Sequence, residues 1–380
     1  MKRILLASLL ALLPATATPA GAPSPAELSA ALETIRAVGP EGRGNEAAGV
    51  AWKRVAMVDA ASLPVLLQAM DGASDLALNW LRAGVDAVAA RETASSRPLP
   101  LAAFETFLRD RSHHPRARRL AFELIQAARP EAARSLLDGM LDDPGSELRR
   151  EAVQERVARA ARDRASGRND EAVAALETAL KAARDVDQIE AVAAQLKELG
   201  RPVDLPRVFG WVSEWKVVGP FDNTAKAGFD RSFPPEQGVD LAAEYDGKNG
   251  RVRWQDLRAA GDYGWVDLNQ PCGALKEVTG YAFAALEAPA AGAAELRLGC
   301  KNAWKIWWNG QFVFGRDEYH RGAEIDQYRF PVQLQAGRNT LLVKVCQNEQ
   351  TEDWTKEWEF QLRVTDPLGA PLSTLSSAKP

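Results

Sequence analysis

KIWWNGQFVF, residues 305–314, sets two tryptophans directly before an Asn-Gly pair. Asn309-Gly310 is a strong hairpin signal, because a two-residue type I′ turn needs positive φ at both central positions. Counting back by twos from that turn, Trp304, Ile306 and Trp308 share one face of a strand, and Lys305 and Trp307 share the other. The first set is apolar throughout and is expected to face a core. Trp307 stands beside a lysine and is expected to be exposed, either to stack on a ligand or to meet a neighbouring loop or helix.

The same character extends outward. WKVVGPFD (215–222), ELRLGC (295–300), AWKIWW (303–308), QFVF (311–314), NTLLVKVC (339–346) and WEFQLRV (358–364) are short runs rich in Val, Leu and aromatics. Pro289, Asn309-Gly310 and Ala336-Gly337 punctuate them. In the last run Trp358, Phe360, Leu362 and Val364 alternate with Glu357, Glu359, Gln361 and Arg363, so Trp358 is expected in the core and not at a ligand. Strands of this length without helical pattern between them predict an antiparallel β-sandwich of roughly eight strands over 208–366. The polar, proline-bearing stretch 367–380 is expected to be a flexible tail.

Composition changes near residue 205: nine of eleven tryptophans, all five tyrosines and all three cysteines come after it. Gly200 to Pro206 carries the glycine and prolines of a boundary, and 201–207 is expected to be a linker. Before it, 27–200 is rich in Ala, Leu, Arg and Glu, with apolar residues at helical spacing. In ARRLAFELIQAA, Leu120, Leu124 and Ala128 line one face beside Ala117, Ala121 and Ile125. Arg118-Arg119 recurs as Arg149-Arg150, 31 residues on. Short loops and this recurrence suggest an α-solenoid of HEAT-like or tetratricopeptide-like repeats with a concave face for a protein partner, the alternative being an irregular bundle. His113-His114-Pro115 suits a loop and helix cap better than a metal site, because adjacent side chains diverge and Pro115 fits a first helical turn.

At the start, Lys2-Arg3, the apolar run Ile4–Leu13, Pro14 and Ala15-Thr16-Ala17 have the layout of a signal peptide. Cleavage is expected after Ala17, or alternatively Ala20, with 18–26 as a linker and a periplasmic or extracellular destination. A net charge of −4 gives no footprint for a nucleic-acid partner, and no internal apolar run reaches the length of a membrane span. Cys272, Cys300 and Cys346 allow three disulfide pairings, with buried free thiols as the alternative.

The stretch 293–364 resembles the galactose-binding-like jelly roll found in sugar-binding domains of large glycoside hydrolases. KIWWNGQFVF, then RGAEIDQYRFPV (321–332), then LQAGRNTLLVKV (334–345) carry the resemblance, and WKVVGPF resembles the opening strand of such modules in secreted bacterial proteins. Signal peptide, helical repeats and this module together resemble multidomain exported proteins that lack functional assignment. The resemblance implies a fold, with carbohydrate as the ligand class to test.

The loops RDEYHRGAEIDQY (316–328) and QNEQTEDW (347–354) mix carboxylates, amides and aromatics, a combination suited to sugars. The ligand-binding candidates are Trp307, Tyr319, His320, Asp326, Tyr328, Asn348, Glu349 and Trp354. No cofactor is implied; a structural calcium at Asp222, Asn223 and Asp230 would not match the spacing of a calcium loop. Nucleophile-elbow, zinc-protease, phosphate-loop and Cys-x-x-Cys signatures are all missing. The expected function is therefore a non-enzymatic binding protein for carbohydrate or another cell-envelope ligand. The alternatives are a protein–protein assembly factor with a structural sandwich and a glycoside hydrolase using loop carboxylates such as Asp326 and Glu349.

Overall fold

The computed structural model describes residues 21, 23–372 and 376–377; the signal-peptide reading at 1–17 lies outside them. The N-terminal half is helical and the C-terminal half consists of antiparallel sheets. The chain divides into two compact units, one ending at Glu155 and the other beginning at Arg156.

The first unit holds α1 (Pro25–Arg36), α2 (Asn45–Val55), α3 (Leu63–Gln68), α4 (Asp75–Ala94), α5 (Leu101–Arg109), α6 (Pro115–Ala128), α7 (Pro130–Leu136) and the start of α8 (Ser146–Ala165). Local signals set their ends. Ser24 and Glu27 form a capping box on α1, and His114 caps α6 by accepting from the Arg116 amide ahead of Pro115 at the first turn. His113 instead bonds Asp71 at 2.7 Å and stacks on Phe107. The apolar stripes of α4 and α6, among them Leu81, Val85, Leu120 and Ile125, enter one core. The recurring arginines have a packing role. Arg118 is buried, binds the Asp143 carboxylate through both Nη atoms at 2.9 and 2.6 Å, and donates to the Leu108 carbonyl. Arg149 donates to the Asp143 carbonyl at 2.6 Å. Both arginines thus serve one buried corner.

The second unit begins with the rest of α8, α9 (Asn169–Ala182), α10 (Val186–Glu198) and α11 (Leu205–Phe209), the last lying in the segment read as a linker. These helices group with the strands because side chains tie them together: Tyr263 donates to Glu190 of α10 at 2.6 Å, and Arg363 to the Phe209 carbonyl at 3.1 Å. Then follow β1 (Glu214–Asp222), α12 (Pro234–Gln237), β2 (Glu244–Gly247), β3 (Gly250–Arg253), β4 (Gln255–Arg258), β5 (Trp265–Asp267), α13 (Asn269–Cys272), β6 (Val278–Ala288), β7 (Gly292–Cys300), β8 (Ala303–Trp308), β9 (Gln311–Arg316), β10 (Tyr328–Leu334), β11 (Gly337–Gln347), β12 (Glu359–Thr365) and β13 (Ser376–Ser377). One sheet runs β4-β1-β6-β11-β8-β9 with β13 on β6, a second runs β10-β7-β12-β5, and β2-β3 is a separate hairpin.

The β8–β9 turn has the expected geometry, with φ of 49° at Asn309 and 75° at Gly310. Asn309 is also tied to the start of β11: its Oδ1 accepts from Thr340 N at 2.7 Å and its Nδ2 donates to Asn339 Oδ1 at 3.0 Å. Gly310→Ala is expected to cost about 1 kcal/mol, because an L side chain is strained in the left-handed region; urea unfolding measures it.

Trp304, Ile306 and Trp308 do face the core between the two sheets, with Trp215, Val343 and Trp358. Trp307 departs from expectation: it is only 9% exposed. The outer face of the large sheet is covered by residues 229–254, and Trp307 packs there in a second apolar layer with Phe221, Phe233, Trp254, Tyr281 and Leu342. Gln361 and Arg363 are buried as well, against the exposure their alternation suggested. In the tail, Pro371 bridges Thr365, Leu372 packs on the core and β13 pairs with β6, so these described residues are held to the unit.

Candidate functional site

At one end of the large sheet, three loops meet: 222–231 after β1, 316–322 after β9, and 347–354 after β11. Their base is a buried amide network. Gln347 Nε2 donates to the Thr355 carbonyl at 2.8 Å, while its Oε1 accepts from Asn302 at 3.3 Å and from the Asn348 amide at 3.1 Å. Asn223, fully buried, donates to the Gln347 carbonyl at 2.9 Å and the Tyr319 hydroxyl at 3.2 Å. Such networks fix geometry because each unmet polar group in a low-dielectric interior is costly. Gly228 is obligatory at the turn: a Cβ there would stand 2.5 Å from the Asp222 carbonyl oxygen.

On this base stand several of the expected residues. His320, held by a left-handed backbone (φ 58°) and by its amide donating to Lys301 O at 2.6 Å, bonds Asn348 Oδ1 through Nε2 at 2.8 Å. Its ring meets Trp354 edge-on, centroids 5.5 Å apart, and Trp354 itself is 59% exposed. Tyr319 lies under the Lys226 ammonium, 5.4 Å from its ring centre, and burial raises its phenol pKa. Glu349 approaches Lys226 at 3.8 Å. Tyr319, His320, Asn348, Glu349 and Trp354 therefore form one neighbourhood. Lys226 and Asp317 belong beside them and were not singled out from sequence, because charged loop residues look alike until the fold gathers them. Burial, then the nearby Asp230 carboxylate, raises the Asp317 pKa.

Three candidates lie elsewhere. Trp307 is in the layer described above. Tyr328 packs on Trp304 with ring centres 4.9 Å apart, capped by Arg316. Asp326 is buried and committed: its Oδ1 accepts from Arg363 Nε at 2.7 Å, and its Oδ2 from Arg363 Nη2 at 2.5 Å and Arg297 Nη1 at 2.8 Å. Two guanidinium groups hold this carboxyl ionised, below the usual carboxylate range, which makes it a weak base and a poor proton carrier near neutral pH.

Asp222, Asn223 and Asp230 do not converge on a cation. Asp222 accepts from Thr224 and pairs with Lys248 at 3.1 Å, the Asn223 amide nitrogen donates as above, and Asp230 faces Lys305 at 3.6 Å. Among the described residues no three His, Cys, Asp or Glu side chains gather to hold a metal. Cys272, Cys300 and Cys346 are all free thiols. Burial pushes their pKa up to about 12, 12 and 11, which keeps them protonated and unreactive at neutral pH.

No protein-family model matches the chain, and no curated protein matches it. Among solved structures, a family 35 carbohydrate binding module from an environmental isolate aligns at 14% identity over 26% of this chain and 71% of its own, with a TM-score of 0.19. An anti-sigma factor domain-containing protein from Clostridium clariflavum aligns at 11% identity over 45% of this chain and 48% of its own, with a TM-score of 0.25. With TM-scores this low, neither likeness bears on what the chain binds. Among the described residues no helix is long and apolar enough to cross a membrane.

Proposed function

We propose that this is an exported, non-enzymatic binding protein whose loop cluster around Trp354 recognises carbohydrate. In this reading the signal peptide is removed near Ala17, the helical half is a repeat scaffold of HEAT-like or tetratricopeptide-like character, and the β half is a galactose-binding-like jelly roll. The observation that carries it is the Trp354 ring, exposed yet held edge-on by a histidine that Asn348 fixes. A flat indole presents a face to the apolar C–H side of a sugar ring, while Lys226 and Glu349 offer a donor and an acceptor for its hydroxyls.

The test is a glycan array on the full mature chain, followed by titration of Trp354→Ala. A tenfold or greater loss of affinity is expected, with the melting temperature unchanged because the ring is mostly outside the core. No binding to any glycan, or equal binding by the variant, would remove the proposal.

A further inference from the structure

We propose that the second unit also holds a site for a single-chain amphipathic carboxylate, separate from the Trp354 cluster and independent of the carbohydrate reading. A cavity of about 840 Å³ opens between the end of α9, α11 with the residues that follow it, and the described part of the C-terminal tail. That volume falls within the roughly 300–1,000 Å³ typical of small-molecule sites. Its walls are mainly apolar, with Leu180, Val208, Val212, Leu286, Val364 and Leu372 contributing.

The polar part of the lining is one-sided. Lys181, Arg184 and Arg207 line the cavity, and no Asp or Glu does among the described residues. Arg184 is turned back on the end of α9, donating to the Lys181 and Ala183 carbonyls at 2.7 and 2.8 Å. Lys181 and Arg207 are exposed, and neither side chain forms an ion pair among the described residues. An apolar chamber whose charged lining is wholly cationic complements an alkyl chain ending in a carboxylate. A neutral lipid would leave the cations unmatched, and a cation would be repelled.

The experiment titrates the full mature chain with dodecanoate by calorimetry, alongside dodecanol and vesicles of anionic phospholipid. One dodecanoate per chain is expected, with dodecanol at least tenfold weaker. The double variant K181E/R207E should bind dodecanoate at least tenfold more weakly while leaving dodecanol unchanged, and K181Q/R207Q should fall between them. Both positions are exposed, so circular dichroism should be unaltered; if the Glu pair misfolds, the Gln pair decides. Absence of saturable dodecanoate binding, equal affinity in the Gln variant, or equal affinity for dodecanol would overturn the site. So would binding seen with vesicles alone, since that would mean a membrane surface and not an enclosed chain.

Discussion

Replacing Asp326 by asparagine is expected to destabilise the second unit by about 3–5 kcal/mol, because it strands two buried guanidinium groups without their shared carboxylate. The side chains of Arg297, Asp326 and Arg363 are each at least nine-tenths buried, and the triad ties the 316–328 loop to the small sheet. Arg297 would keep only Glu295, and Arg363 only the Phe209 carbonyl with the Phe209 and Trp211 rings. Urea unfolding at neutral pH measures the loss.

The acid limb provides a second readout of the same site. Burial by itself would raise the Asp326 pKa, but the hydrogen bonds and charge of Arg363, joined by Arg297, outweigh it and hold the carboxyl below its usual range. A carboxylate with a depressed folded pKa contributes stability that is complete above its unfolded pKa, near 3.9, and is lost as pH falls through the folded value. The gap between wild type and Asp326→Asn should therefore be widest at neutral pH and narrow below about pH 4. A gap that is constant down to pH 2 would show that the ionised carboxylate contributes nothing.

Lys344→Met is expected to cost a similar amount, about 3–5 kcal/mol, for the mirror-image reason. Lys344 sits on β11, fully buried, on the face that carries the second apolar layer. Its ammonium donates to the carbonyls of Phe229 and Arg231 at 3.0 and 2.8 Å and to Glu236 Oε1 at 2.8 Å. Tyr281 donates to the same carboxylate oxygen at 2.5 Å. Methionine keeps the stem but leaves two carbonyls and a carboxylate buried without that donor. The double variant K344M/E236Q should cost less than the sum of its parts, with a coupling of about 0.5–3 kcal/mol, since removing both charges relieves the orphaned one. Strict additivity would mean that the pair is not acting as a unit. The same lysine pins the chain on either side of Asp230, shortly after Lys226, so Lys344→Met should also weaken any ligand held at the Trp354 cluster.

These two residues illustrate where sequence reasoning stopped. In the sequence Asp326 reads as a ligand candidate, because a carboxylate in a mixed polar loop looks available. Its partners, Arg297 and Arg363, come from two other strands of the chain, and nothing local announces them. Lys344 passed as an ordinary alternating residue in NTLLVKVC. The strand β6 has no such signature in the sequence: VTGYAFAALEA lies between β1 and β11 and is buried on both faces, so the alternation that betrays half-exposed strands is missing.

Within the candidate site, the loops 316–328 and 347–354 were legible from composition. Which of their residues meet was not, because Tyr319 and His320 turn toward Asn348 whereas Asp326 and Tyr328 turn away within the same loop.

KIWWNGQFVF marks the line between the two kinds of information. Backbone sterics at Asn309-Gly310 and strand periodicity are local, so the sequence alone determined the hairpin, the core face with Trp304, Ile306 and Trp308, and the change from helices to antiparallel strands. The fate of Trp307 was a tertiary decision. A side chain on the second face of a sheet is exposed or buried according to what folds over it, and here the distant segment 229–254, pinned by Lys344, supplies the cover.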